Sequence, residues 1–199
     1  QMNYKKAFLK VYDIPVLYFP KFFHPDPTVE RQSGLLKPTL NNSDILGSSV
    51  TLPYFRAISN NKDFTFSPTI FDSKTLSFQN EYRQKNKYSY LIADIGVVKD
   101  YTSPVLKKEK NLFHLFTEFD FDLNFENFLN SQFFLSIEKV TNDTYLKVFD
   151  THITKSNVRP GNLDILNNEV KLTLNHEKYN FETGIETFEN LQLSNNDRF

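Results

Sequence analysis

The chain has 199 residues, a formal net charge of −1, no Cys, no Trp, and an aromatic share of 16% built from 21 Phe and 10 Tyr. Zero Cys excludes a disulfide scaffold, a thiolate metal site and a Cys nucleophile within this stretch, and the near-neutral balance argues against a binder that works by neutralising phosphates. No apolar run is long enough for a transmembrane helix, but a barrel strand needs only about ten residues of alternating character.

In chain order, residues 7–13 form a strand candidate, and residues 14–23 are apolar but interrupted by Pro15 and Pro20. His24-Pro25-Asp26-Pro27 cannot be regular structure, because each Pro removes a donor and restricts its predecessor. A boundary is therefore expected near residues 24–33, between the last strands of one β unit and the start of another. A first strand is expected near residues 33–41, and from there the period is two almost everywhere. Leu76, Phe78 and Tyr82 alternate with Ser77, Gln79, Glu81 and Arg83. Phe113, Leu115, Phe119, Phe121, Leu123 and Phe125 share a face opposite His114, Glu118, Asp120, Asp122 and Asn124, with Phe116 the exception. Phe133, Leu135 and Ile137 oppose Ser136 and Glu138; Val170, Leu172 and Leu174 oppose Lys171 and Thr173; Tyr179, Phe181 and Ile185 oppose Asn180, Glu182 and Glu186. Turns are expected at Asn41-Asn42-Ser43-Asp44 and at 59–63, 72–74, 84–87 and 175–178, where Asn, Asp and Ser tolerate turn conformations. Two connections are longer, about 99–110 and 141–161. No helical stripe stands out, and no helix is predicted.

The fold class that follows is all-β, an antiparallel meander in sequence order. Two architectures share this alternation. A soluble sandwich has an apolar inner face and a polar outer one; a transmembrane barrel has an apolar lipid face and a wet lumen. Strands of about 10–13 residues, abundant Phe and Tyr, and connections that alternate between short and long favour the barrel. The chain starts at Gln1-Met2 without a basic, apolar leader and stops at Asp197-Arg198-Phe199 after a strand-like stretch, which reads as a piece cut at both ends.

Residues 14–68 carry a more specific signal. Ile14-Pro15-Val16-Leu17-Tyr18-Phe19-Pro20 is followed by His24-Pro25-Asp26-Pro27-Thr28-Val29 and Arg31-Gln32-Ser33-Gly34-Leu35-Leu36-Lys37-Pro38. Then come Leu46-Gly47, Leu52-Pro53-Tyr54-Phe55 and Asp63-Phe64-Thr65-Phe66-Ser67-Pro68. This order resembles the LptD family of outer-membrane lipopolysaccharide-assembly proteins. Val140-Thr141-Asn142-Asp143-Thr144-Tyr145-Leu146 is similar to a later stretch of the family, with Thr141 and Asn142 as departures. Phe55-Arg56 also departs, where many members carry further aromatics. The resemblance runs along the whole chain in order, and its specific part is 14–68.

The resemblance implies a periplasmic β-jelly roll ending near residue 23, a connector at 24–33, and about nine strands of a large outer-membrane barrel over 34–199. Such a barrel has about 26 strands when complete. It implies lipopolysaccharide as cargo, leaving sideways through a seam between the first and last strands. It also implies a periplasmic bridge protein of the LptA kind, a plug lipoprotein of the LptE kind, and contact with outer-membrane lipids. Pro38 and Pro53 match the family's gate prolines, where each would remove a donor from a strand ladder; the other reading is that they sit at strand ends, where Pro is harmless. Pro25, Asp26 and Pro27 would stiffen the connector, since Pro fixes φ; a solvent loop is the other reading. Gly34 and Gly47 are expected to serve a turn or bulge. Other outer-membrane barrels, such as a porin or apolar-solute channel, and a soluble carbohydrate-binding sandwich remain as alternatives.

Catalytic chemistry is not indicated. The four His at 24, 114, 152 and 176 show no metal spacing. Asp120 and Asp122 share a strand face and read as a wet wall rather than an acid–base pair. No Gly-rich phosphate loop or nucleophile elbow is present, so no enzyme activity, cofactor or nucleic-acid partner is expected and the driving energy comes from elsewhere. The basic cluster Lys107-Lys108-Glu109-Lys110 reads as a solvated loop or as a contact to anionic headgroups.

Overall fold

The computed structural model describes residues 2–11, 14–24, 31–103, 109–150, 152 and 156–192. The chain divides into two compact units, residues 1–33 and 34–199. The first unit is a hairpin of β1 (Met2–Val11) and β2 (Ile14–His24), antiparallel from Met2↔His24 to Val11↔Ile14, with a register shift between Leu9 and Lys10. Pro15 and Pro20 lie inside β2 rather than breaking it.

The second unit is one antiparallel sheet. Its elements are β3 (Gly34–Leu35), β4 (Thr39–Ser43), β5 (Gly47–Thr51), β6 (Tyr54–Ser59), β7 (Lys62–Phe71), β8 (Leu76–Lys85) and β9 (Ser89–Thr102). Then follow β10 (Glu109–Asp122), β11 (Asn130–Val140), the helix α1 (Tyr145–Phe149), β12 (Ile165–Asn175) and β13 (Asn180–Asn190). β3 and β4 make one interrupted row, pairing β6 and β5 respectively. β5 and β6 make the next, and both pair β7. From β7 to β13 each strand pairs the next in sequence order. The pattern expected from period-two alternation is therefore present as a meander.

Four details differ from the expectations. Asn41, Asn42 and Ser43 belong to β4, and the turn falls at 44–46, where the Ser43 hydroxyl accepts the N–H groups of Ile45 and Leu46. The apolar set 113–125 ends as strand at Asp122, because Asn124 turns into the left-handed region (φ 50) and the Asp122 carboxylate accepts its N–H. The connection expected at 99–110 shrinks to 103–108, since β9 and β10 run to Thr102 and from Glu109. A short helix, α1, forms inside the long connection between β11 and β12. Asn142 sets its start by accepting the N–H and the hydroxyl of Thr144.

Directly paired residues lie on one face of a sheet, so the registers give two faces without ambiguity. One carries Leu40, Val50, Phe66, Ile70, Phe78, Ile95, Leu115, Phe119, Leu135, Val170 and Ile185; the other carries Thr51, Asp63, Thr65, Ser67, Thr69, Gln79, Asp94, His114, Glu118 and Glu169. The apolar face is the open one: Leu40 is 74% exposed, Ile70 57% and Ile185 72%. The polar face is the covered one, with Asp63, Ser67, Thr69, Gln79 and Asp94 all buried. The apolar core is a cluster on that polar side. Phe71, Val98, Leu112, Phe116 and Val140 from the sheet meet Tyr145, Leu146 and Phe149 of α1, with Val158 and Leu166 beyond it. Phe116, which breaks the alternation expected over 113–125, is wholly buried in this cluster.

Candidate functional site: the first strand rows and the covered polar wall

The first two rows are interrupted where their prolines stand. β3 pairs β6 at Leu35↔Tyr54, and β4 pairs β5 at Thr39↔Thr51. Leu36, Lys37 and Pro38 thus face only Leu52 and Pro53, a one-residue bulge. Leu36 N–H donates to the Pro53 carbonyl at 2.8 Å, and Leu52 N–H donates to the Pro68 carbonyl at 3.0 Å. Pro38 and Pro53 therefore sit in gaps between strand segments rather than within continuous strands. A proline cannot return the bond, and both rows break at this point.

Gly47 opens β5. Its φ is +72°, and a Cβ there would stand 2.0 Å from Asp72 Oδ1. Asp72 uses the space, accepting Ser48 N–H on Oδ2 at 3.0 Å while its own N–H donates to the Ser48 carbonyl at 3.0 Å. Gly34 stands in open surroundings. It opens β3 without a positive φ, and a Cβ there would meet nothing within 4 Å. Pro25, Asp26 and Pro27, and with them His24's side chain and Lys107-Lys108, lie outside the described residues.

The polar wall is tied by two hydrogen-bonded groups. Arg83 Nε donates to Asp63 Oδ1 at 2.7 Å, and its Nη1 lies 3.4 Å from Glu81. Gln79 donates to Asp94 Oδ2 at 2.7 Å. His114 Nε2 stands 3.3 Å from Asp94 Oδ1, and His114 Nδ1 stands 2.6 Å from the Tyr145 hydroxyl. Burial pushes the Tyr145 phenol far up, and the nearby Asp94 pushes it further, so its proton stays on. The donor order that satisfies all three groups is Tyr145 to Nδ1 and Nε2 to Asp94. The imidazole is sandwiched: it stacks on Phe116 at 4.5 Å and 8°, and Gly96 leaves room for it where a Cβ would be 2.1 Å from Cε1. This Asp–His–Tyr chain has the look of a catalytic relay. All three groups are almost fully buried, and the chain fastens α1 to the wall.

A second tie reaches the first rows. Ser49 Oγ lies 3.1 Å from His152 Nδ1, and the His152 ring packs edge-on to Phe71 at 4.9 Å. Burial lowers the His152 pKa from its ordinary value, which keeps the ring neutral. Arg159 pairs with Asp150, and Lys147 Nζ reaches Asp164 at 2.5 Å, holding the carboxyl of Asp164 below its usual range. At the opposite end of the sheet, Phe125, Phe128, His176 and Tyr179 form an aromatic cluster, with His176 stacked on Tyr179 at 4.5 Å. Asp120 accepts a bond from Gln132, and Asp122 caps its turn, so the acidic pair has structural partners. Among the described residues no group of three or more His, Asp or Glu is placed to hold a metal.

Pro68, Gly96 and the Asp94–His114–Tyr145 chain are the features that sequence reasoning missed. Phe116 was the available signal, since an aromatic on a polar face marks something that covers it.

A family model described as LptD protein matches residues 4–91. An LPS-assembly protein LptD of Polaromonas sp. (strain JS666) is 43% identical over 77 residues, covering 39% of this chain and 9% of that protein. The LPS-assembly proteins LptD of Idiomarina loihiensis and Thiobacillus denitrificans are 28% and 25% identical, over 87% and 94% of this chain and 22% and 24% of their own lengths. The chain spans less than a quarter of the length of these curated relatives. The motif order of residues 14–68, the family match over 4–91 and alignments along nearly the whole chain point the same way: the chain is similar to LptD proteins.

Proposed function

We propose that this chain forms the leading part of an outer-membrane barrel that delivers lipopolysaccharide to the outer leaflet. The observation that carries this reading is the inversion of the sheet: apolar residues face out and polar ones are covered. A soluble sandwich buries its apolar face, because exposing it forgoes about 25 cal/mol per Å². A barrel in lipid does the reverse. The strands of 10–14 residues from β7 to β13 are long enough for a tilted span. The names of the relatives supply the cargo.

In this reading residues 1–23 end a periplasmic jelly roll, 24–33 with Pro25, Asp26 and Pro27 are its connector, and 34–199 open the barrel. Pro38 and Pro53 weaken the pairing of the first two rows, so that a seam beside them opens for the lipid. A bridge protein of the LptA kind supplies the cargo, and a lipoprotein of the LptE kind fills the lumen. The chain's own part is to bind and guide, with the energy supplied elsewhere.

The test uses the complete protein in cells depleted of their own LptD. Lipopolysaccharide arriving at the cell surface is measured, together with the amount of folded barrel. The native protein restores delivery, and Ile95→Lys lowers the amount of folded barrel, since a Lys at mid-bilayer on the lipid face costs about 2–4 kcal/mol. Restored folding with no delivery overturns the cargo. An Ile95→Lys variant that folds as well as the native protein overturns the membrane-facing assignment.

A further inference from the structure

Pro68 lies inside β7 and shares the height of Pro38 and Pro53. β5 pairs β7 down to Thr51↔Thr69, and β6 resumes in the same register at Tyr54↔Phe66. Leu52 therefore stands opposite Pro68. Their contact is the single bond from Leu52 N–H to the Pro68 carbonyl at 3.0 Å. In an antiparallel ladder such a pair exchanges two bonds, and Pro68 has no N–H to return the second.

Alternate residues of a strand turn their N–H groups to opposite neighbours. Since Leu52 donates toward β7, Pro53 is turned toward the first row, where its carbonyl accepts Leu36 N–H at 2.8 Å and again nothing is returned. Pro38 stands in the bulge of that first row. Three successive rows thus each lack a donor along one transverse line. The line stops at β7, because β7 pairs β8 without a shift from Lys62↔Gln84 to Ile70↔Leu76, passing Pro68↔Phe78.

The two sides of the line are held differently. On the β4–β5 side, Ser48 exchanges bonds with Asp72, Ser49 meets His152 at 3.1 Å, and the Thr51 and Thr69 hydroxyls meet at 2.8 Å. On the other side β3 has two residues, and the β6–β7 ladder is shifted between Ala57 and Ser59. We propose that the prolines form a crease and that Pro68 is its inner end, a positioning residue for the lipid seam. The β3–β6 half of the first two rows bends at this line, while the β4–β5 half stays anchored. The inference rests on the delivery reading above.

The experiment compares Pro68→Ala, the double variant Pro38→Ala, Pro53→Ala, and Ser67→Ala as a neighbour that leaves the ladder donors unchanged, all in the complete protein. Amide exchange of peptides covering residues 48–55 is read together with surface delivery of lipopolysaccharide per folded barrel. Pro68→Ala supplies the missing donor to Leu52. It is expected to slow exchange in 48–55 by about three- to tenfold, the effect of one ordinary net hydrogen bond, and to lower delivery as the double variant does, with Ser67→Ala unchanged. Reduced delivery in the double variant with native exchange and delivery in Pro68→Ala overturns the crease and leaves the delivery reading standing. Slowed exchange in Pro68→Ala with native delivery in both proline variants overturns the gate itself.

Discussion

The first two strand rows and the wall from β7 to β11 are made of the same kind of residue and are paired differently. Both alternate apolar with polar. In the wall, every strand runs unbroken for at least ten residues, and the polar face is tied across strands by Arg83–Asp63, Gln79–Asp94 and Asp94–His114. In the first rows, four segments of six residues or fewer do the work of two strands, and the breaks coincide with Pro38 and Pro53. Alternation thus sets the faces in both regions. Continuity of donors is what differs between them, and each missing ladder bond removes about 0.5–1.5 kcal/mol.

The contrast breaks hardest at Tyr145. Tyr145→Ala removes the ring that packs on Phe149 at 5.0 Å and leaves His114 Nδ1 buried without its partner. The cost is expected to be about 3–5 kcal/mol against docking of α1. Limited proteolysis should then cut within residues 141–164 in the folded protein. Uncut protein would show that the loop is held by other contacts.

A milder break comes from the socket beneath the imidazole. Gly96→Ala puts a Cβ against His114 and must displace a ring already stacked on Phe116. About 1–3 kcal/mol of overpacking strain is expected. Amide exchange should rise in α1 and leave β12 and β13 unchanged. A rise spread evenly over the sheet would mean that His114 holds the wall together rather than the loop.

The smallest effect sharpens the comparison at the tie between the two regions. The docked His152 has a lowered pKa because burial disfavours its charge, so the undocked state takes up a proton first. Docking is therefore full above the ordinary His value of about 6.5 and weakens as pH falls through it toward the lowered one. Exchange in residues 47–51 should rise between pH 7.5 and 5.5, and His152→Phe should remove that dependence. A flat profile in the native protein would separate His152 from the anchoring of β5.

Much of this arrangement was legible in the residues. Period two at 76–83, 113–121, 133–139 and 170–174 fixed which side chains share a face, because successive side chains of a strand point to opposite sides. The motifs of 14–68 carried the family, and the Asn- and Asp-rich stretches marked most turns. Pattern alone could not say which face meets which medium, since a sandwich and a barrel alternate identically. Nor could it show α1, whose five residues give no stripe and whose helix exists because Tyr145, Leu146 and Phe149 find Phe116, Val98 and Leu112 across the chain. The alignment of Pro38, Pro53 and Pro68 belongs to register, and register is set by pairing between rows. Local residue preferences act over a few positions and so are written in the sequence, whereas burial and register depend on partners tens of residues away and are decided only when the sheet is assembled.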